Sequence, residues 1–460
     1  MVRLEFHGAA GTVTGSKYLL VVNDEKILID CGMFQGRKEL RERNWAPMKF
    51  EPAEVECIVL THGHIDHVGF VPKLVQYGFA GKVYCTAPTE DIAAISLEDT
   101  AHIQMEDAEY RNKKKLSSHE IALPLFNDDD VRQALSQFSP QPFLTWIRIS
   151  DQIRFRYHVV GHLLGAASVE VEVTDGPRKL TLQFSGDIGR YGNPLVKNPT
   201  EPVECDYLIC ESTYGSRIHP AEDPHTLFAD LINEVVDRKS ILLIPAFAVG
   251  RTQQIVFLIH DLIEHRRIPK INIHIDSPMA VAATDIYLKY HAYHAIDLDR
   301  LGKGSVLNGE NVHIHRKRDS SKELNTLKGP AVIISSSGML TGGRILHHLM
   351  LRLPDPNTIL ALVGFMAEGT LGRKLQEGAD MVYIHKTPVA VNAKIVDIQA
   401  LSGHADYHEI LHWLESIKNA PKVTFITHGE PSEAAAMAEH IKQERGWPTH
   451  VAVLDEAVEL

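Results

Sequence analysis

Three imidazoles and one carboxylate fall within six residues at His62-Gly63-His64-Ile65-Asp66-His67. So dense a cluster is poor material for either a core or an ordinary surface, and it reads as a metal-binding loop. Imidazole and carboxylate donors without thiolate suit Zn²⁺, with Mn²⁺ the weaker fit. On a short loop, residues two apart can point to one side. His62 and His64 can then share one ion while Asp66 and His67 reach a second. A catalytic zinc keeps one coordination position for water and brings the pKa of that water toward neutrality. The chemistry this implies is metal-assisted hydrolysis.

Four ligands do not complete two sites, so others must arrive from elsewhere in the chain. His162 follows Val159-Val160-Gly161, Asp187 follows the apolar run ending at Phe184, and His428 follows Ile426-Thr427. Taken singly, each is by default a satisfied turn or surface residue. Their shared place just past a strand makes them candidate ligands. Asp30, at the end of Leu28-Ile29, reads as a carboxylate that orients ligand histidines rather than as a ligand itself.

The elements that must position these residues are short apolar runs alternating with helical stretches, the pattern of α/β layers. Leu19–Val22 and Lys26–Ile29 flank Asn23-Asp24-Glu25 as a β-hairpin. Glu56–Leu60 is a buried strand running straight into the histidine loop, and Leu180–Phe184 is another. Residues 92–138 are charged, predict helix, and read as an excursion from the sheet; the run Lys113-Lys114-Lys115 within them reads as solvated surface. From about Thr213 to Lys394 the pattern becomes that of a doubly wound parallel sheet, with strands at 241–245, 271–275, 331–334 and 358–363. The expected organisation is residues 1–212, an inserted α/β domain at 213–394, and a return to the first domain at 395–460.

Composition sets bounds. The chain has 460 residues, 44% hydrophobic and 23% charged, which suffices for two or three soluble domains. It has no run of about 18 apolar residues, and its opening reads as a strand rather than a signal peptide; a cytoplasmic location is expected. Five scattered cysteines without CxxC spacing argue against a disulfide framework and read as reduced core residues. The net charge of −12 weighs against a broad basic surface, although two Zn²⁺ would make one cleft locally positive.

Together these segments resemble the metallo-β-lactamase superfamily, and within it the β-CASP RNA nucleases related to the cleavage and polyadenylation specificity factor endonuclease. The likeness rests on Asp30, the loop at 62–67, His162, Asp187, Glu211 in Cys210-Glu211-Ser212-Thr213, His404 in Ser402-Gly403-His404-Ala405-Asp406, and His428 in Thr427-His428-Gly429. Gly8–Ser16, Pro245–Gln253 and Ser336-Ser337-Gly338-Met339 extend it over essentially the whole chain. The resemblance implies an αββα sandwich carrying an inserted β-CASP domain. It also implies two Zn²⁺, one held by His62, His64, His162 and Asp187, the other by Asp66, His67, Asp187 and His428. It further implies a pairing of Glu211 with His404, the latter acting as general acid, and Asp66 as acceptor of the attacking water's proton. A histidine at position 428 accompanies RNA-directed members. The expected activity is hydrolysis of single-stranded RNA, threaded through a narrow cleft between the domains.

Ser402, Ser336, Ser337, Arg251 and Arg373 are candidate phosphate contacts, with ordinary turn and surface roles equally compatible. Rival readings are a hydrolase of small molecules or DNA on the same scaffold, or a non-catalytic subunit. Endonuclease and 5′ exonuclease modes are both open, as is a homodimer.

Overall fold

The computed structural model describes residues 1–114, 121–220, 222–297, 300, 307–364, 366 and 369–460. Lys115 of the lysine run lies outside them; Lys113 and Lys114 are exposed at a helix end. The chain divides into two compact units, Met1–Ile218 with His404–Leu460, and His219–Gly403.

The first unit carries two seven-stranded sheets. In the first, the order across the sheet is Glu456–Glu459, Val2–Phe6, Tyr18–Val22, Glu25–Ile29, Cys57–Val59, Lys82–Cys85 and Phe138–Pro140. In the second it is Thr449–Val451, Val423–Thr427, Tyr207–Glu211, Arg178–Phe184, Ala167–Asp175, Ile153–Val159 and Ile147–Arg148. The alternation of strand side chains explains the layering. Leu4, Phe6, Leu20 and Ile29 meet Phe155, Val169, Leu182, Phe184 and Phe425 between the sheets. The alternate positions Leu19, Val21, Leu28 and Ile58 face outward, where Val71, Leu74, Ala93, Leu97 and Val131 cover them. Those covering residues belong to Val71–Gln76, Ala87–Lys114 and Asp128–Leu135. The helices at 92–138 are therefore an outer layer of the sandwich rather than an excursion. The second sheet has Pro431–Arg445 on its outside, and the result is an αββα sandwich.

The second unit is built on six parallel strands, in the order Val312–Ile314, Asn272–Asp276, Ala331–Ser335, Ile241–Pro245, Ile359–Val363 and Lys394–Ile398. Its four central strands are buried on both faces and near-continuously apolar, as parallel sheets require. Lys394–Ile398 pairs in register with Ile359–Val363, so residues 395–403 stay with this unit instead of returning to the first. Polar side chains at 394 and 397 hide this edge strand in the sequence. Among the described residues no helix is long and apolar enough to cross a membrane. All five cysteines are free; Cys205 is half-buried and the other four are buried.

Candidate metal centre

The site lies where strands of both sheets of the first unit end. Cys57–Val59 leads through Leu60 and Thr61 into the histidine loop, where Ile65–Val68 forms one helical turn that carries Asp66 and His67, the His67 ring packing 4.1 Å from that of His62. Strand Arg178–Phe184 delivers Asp187, Tyr207–Glu211 delivers Glu211, and Val423–Thr427 delivers His428. Sheet pairing alone brings these ends together, since 423–427 lies parallel to 207–211 in register, and 207–209 lies parallel to 182–184.

His62 Nε2 lies 3.0 Å from His64 Nδ1, and His162 Nε2 lies 3.1 Å from the same atom. Asp187 Oδ2 is 3.5 Å from His62 Nε2 and 3.7 Å from His162 Nε2. On the other side, His67 Nε2 and His428 Nε2 are 3.1 Å apart. Asp66 Oδ2 is 3.5 Å from His428 Nε2, and Asp187 Oδ1 is 3.4 Å from His67 Nε2. The seven residues thus form two donor sets, with one oxygen of Asp187 turned to each. Oδ1 of Asp187 is buried and makes no hydrogen bond. Burial alone would raise the carboxyl pKa of Asp187, but His428, His67 and His62 hold it well below the usual range. Asp66 is likewise opposed by burial, yet its hydrogen bond to His428 and the charge of His67 bring it to about 2. Ionised, acceptor-only carboxylates among converging imidazole nitrogens are a donor set that fits a metal cation.

Behind the donors lies a set of orienting contacts. Asp30 accepts from Thr61 N at 2.7 Å and Thr61 Oγ1 at 2.9 Å, and its Oδ2 lies 2.8 Å from His67 Nδ1. It therefore lies directly behind His67, one of the candidate ligands. Thr61 Oγ1 also lies 3.1 Å from His62 Nδ1, and Thr213 Oγ1 lies 3.1 Å from His428 Nδ1. Neither threonine is singled out by sequence reading; the only signal is adjacency, Thr61 to His62 and Thr213 to the Glu211 segment. Asp30 and His428 both have positive φ, 59° and 50°. Non-glycine residues there store strain that the surrounding hydrogen bonds must hold. Gly32 has a plainer reason: a Cβ on it would lie 1.6 Å from the Asp66 carbonyl oxygen.

His404 joins this group from the start of the chain's return. Ala405 N donates to the Ile188 carbonyl at 2.8 Å, next to Asp187, and His404 bridges to Gly189. A capping box between Asp406 and Glu409 fixes the helix that follows. His404 Nδ1 is 3.4 Å from Glu211 Oε2 and 3.9 Å from Asp187 Oδ2. Burial works against its charged form, but the charge and hydrogen bond of Glu211, then Asp187 and Asp66, lift its pKa to about 9.

The candidate phosphate contacts lie in the second unit. Ser336 Oγ donates to Ser277 Oγ at 3.1 Å, and Ser337 Oγ accepts from Thr341 N at 3.0 Å. Arg251 Nη1 donates to Gln254 at 2.8 Å and Arg373 Nε to Glu377 at 2.7 Å, while Ser402 is buried after the turn Gln399–Leu401. Local structure therefore engages each of the first four.

Three family models match the chain: the metallo-beta-lactamase superfamily over residues 10–228, the Beta-Casp domain over 252–375, and the Zn-dependent metallo-hydrolase RNA specificity domain over 388–452. Ribonuclease TTHA0252 of Thermus thermophilus is 34% identical over 95% of each chain. An RNase J-like protein of Methanocaldococcus jannaschii is 31% identical over 98% of each. Transcription termination factor FttA of the same organism is 28% identical over 96% of this chain and 69% of its own length. A crystal structure of an Enterococcus faecalis protein of unknown function shares the fold at a TM-score of 0.57 and 14% identity, over the full length of both chains. The chain belongs to the β-CASP family of the metallo-β-lactamase superfamily. It is a metal-dependent hydrolase acting on RNA.

Proposed function

We propose that the site holds two Zn²⁺ and cleaves phosphodiester bonds of single-stranded RNA. His62, His64, His162 and Asp187 would hold one ion, and Asp66, His67, Asp187 and His428 the other. When bound, such ions supply an activated water and neutralise charge on the phosphoryl oxygens. Asp66 accepts the proton of the attacking water. Glu211 faces Nδ1 of His404, which leaves Nε2 to give a proton to the departing 3′ oxygen.

The single observation that carries this reading is His404 beside Asp187, backed by Glu211. A site that only stored metal would need no proton donor at its edge. Selectivity for single strands is supported by depth: His62, His67, His162 and Asp187 are each at most 8% exposed. A flexible strand can bend a phosphate into such a recess, whereas a duplex presents its phosphates on a stiff rim.

The test is His404→Ala. We expect metal content by elemental analysis to stay at two per chain while kcat on unstructured RNA falls roughly 10²- to 10⁴-fold. Loss of metal with activity would instead make His404 a ligand. Equal cleavage of paired and unpaired strands would defeat the single-strand selectivity. RNA labelled at the 5′ end and internally separates endonucleolytic from 5′ exonucleolytic products.

A further inference from the structure

In a chain of net charge −12, residues 37–49 stand out: they carry five cations, Arg37, Lys38, Arg41, Arg43 and Lys49, against the two carboxylates of Glu39 and Glu42. All five cations are exposed. The acidic residues that follow lie past buried Phe50, and Glu54 among them pairs with Lys26. The segment is a short helix, Lys38–Glu42, running into a single turn, Arg43–Trp45. Side chains that fold proteins are scarce on it. Trp45 is 54% exposed although tryptophan is the residue with most to gain from burial.

Trp45 is not alone. Lys73 Nζ lies 5.6 Å from the centre of its ring and 4.9 Å from the ring of Tyr77, which is itself 44% exposed. Two exposed aromatic rings therefore flank one ammonium. Arg43 lies over Phe34 at 5.5 Å. The segment is also pinned, so its groups are presented rather than trailing. Asn44 is buried and makes two hydrogen bonds to the Phe34 backbone, at 2.9 and 2.8 Å.

The pinning leads to the metal centre. Gln35 N donates to Thr14 Oγ1 at 3.2 Å, in the glycine-rich loop 8–16. That loop touches the edge of the donor set of Asp66, His67 and His428: Ser16 N donates to the Asp66 carbonyl at 2.9 Å, and His428 N donates to the Ala9 carbonyl at 2.7 Å. The cationic and aromatic strip thus begins one loop away from Asp66 and His428.

Alternating cations and exposed rings are the chemistry that grips single-stranded nucleic acid without regard to sequence. Cations follow the phosphates, and bases stack on the rings. We infer that residues 37–49, with Lys73 and Tyr77, form an anchoring track for single-stranded RNA outside the metal centre, holding nucleotides away from the scissile bond. This rests on the RNA-directed reading of the site and adds a second point of attachment to it.

The experiment measures binding in a His404→Ala background, so that RNA stays intact. The probe is an unstructured fluorescent RNA of about 20 nucleotides, titrated at several salt concentrations. Arg41→Gln/Arg43→Gln/Lys73→Gln should weaken binding at least tenfold and flatten the slope of log K against log salt by about 2, the value for three phosphate contacts on a single strand. Trp45→Ala should cost roughly tenfold, and Trp45→Phe should recover most of it. Lys113→Gln/Lys114→Gln removes two cations elsewhere on this unit and should shift Kd less than twofold. Thermal unfolding of each variant, matched to the parent, excludes misfolding as the cause. An unchanged Kd and slope in the triple variant would overturn the track. So would equal losses in the triple and the Lys113/Lys114 variants, because that result means diffuse attraction. Failure of the parent protein to bind or cleave RNA at all would instead strike at the functional reading itself.

Discussion

The contacts that matter most at the scale of single residues are the ones behind the proposed ligands. The Thr213 hydroxyl donates to the His428 carbonyl at 3.3 Å and stands ready to accept from Nδ1–H of the same ring at 3.1 Å, the tautomer that leaves the Nε2 lone pair facing Asp66 and His67. Thr213→Val keeps the shape and removes that hydrogen bond. Zinc affinity, read by competition with a chromophoric chelator, should fall about 10- to 100-fold. Lys17 is a second such residue. It is buried, donates to the carbonyls of Gly15 and Gly32, and sits between the rings of Phe34 and Phe70. Burial lowers its pKa to about 8, against 10.5 for the free side chain. Between those values the unfolded chain binds a proton that the folded chain does not, so folding stability rises with pH across that window. The full cost, about 3 kcal/mol, is present below pH 8. Lys17→Met should remove this slope, and urea titrations at pH 7.5 and 10 will show it as a difference between variant and parent.

At the scale of elements, the outer face of the second sheet carries a charged ladder. Arg156 and His158 on Ile153–Val159 meet Glu170 on Ala167–Asp175, with His158 Nε2 2.7 Å from Glu170. Burial pushes the Glu170 carboxyl up, but hydrogen bonds from His158 and Arg156 bring it below its ordinary value. Its folded pKa is thus lower than its unfolded one. The contribution to stability is complete above the unfolded pKa, near 4.3, and is lost as pH falls through the folded value. Glu170→Gln should lower stability by about 2 kcal/mol at pH 7, less than for a fully enclosed pair because Arg156 is partly solvated. The deficit should shrink below pH 4; an unvarying deficit would show that packing rather than charge is responsible.

At the scale of the whole molecule, the proposed ligands come from four separate strand exits, after 57–59, 153–159, 178–184 and 423–427, so a bound ion would cross-link the first unit. Ligand that binds only the folded state stabilises it by about 2.7 kcal/mol at a hundredfold excess over Kd. Chelation should therefore abolish RNA cleavage and lower the calorimetric midpoint of the first unit by several degrees. Restoring Zn²⁺ should return both. His404→Ala should show the same shift in midpoint without the activity. A midpoint indifferent to chelator would count against the ligand assignment.

Some of this was legible in the chain alone because the physics is local. The loop at 62–67 announces itself, since nothing but a cation makes three imidazoles and a carboxylate in six residues worthwhile. The hairpin at 18–29 and the parallel strands of the second unit follow from the spacing of apolar residues. Other features depend on neighbours in space. Helices at 87–114 and 128–135 look too charged to cover a sheet, yet only one stripe of each meets it, at Ala93, Leu97, Val131 and Ala134. Strand 394–398 carries polar side chains at 394 and 397 and lies at a sheet edge, and so its membership of the second unit is invisible until it pairs with 359–363. The sequence by itself determined which residue types could hold a cation and that they sit past strands. Only the tertiary structure decided that one oxygen of Asp187 faces each donor set, that Thr213 backs His428, and that Glu211 meets His404 across 193 positions. The reason is that strand register, set by packing of two apolar faces, is what carries distant residues to one point, and register is a property of pairs of strands rather than of any one.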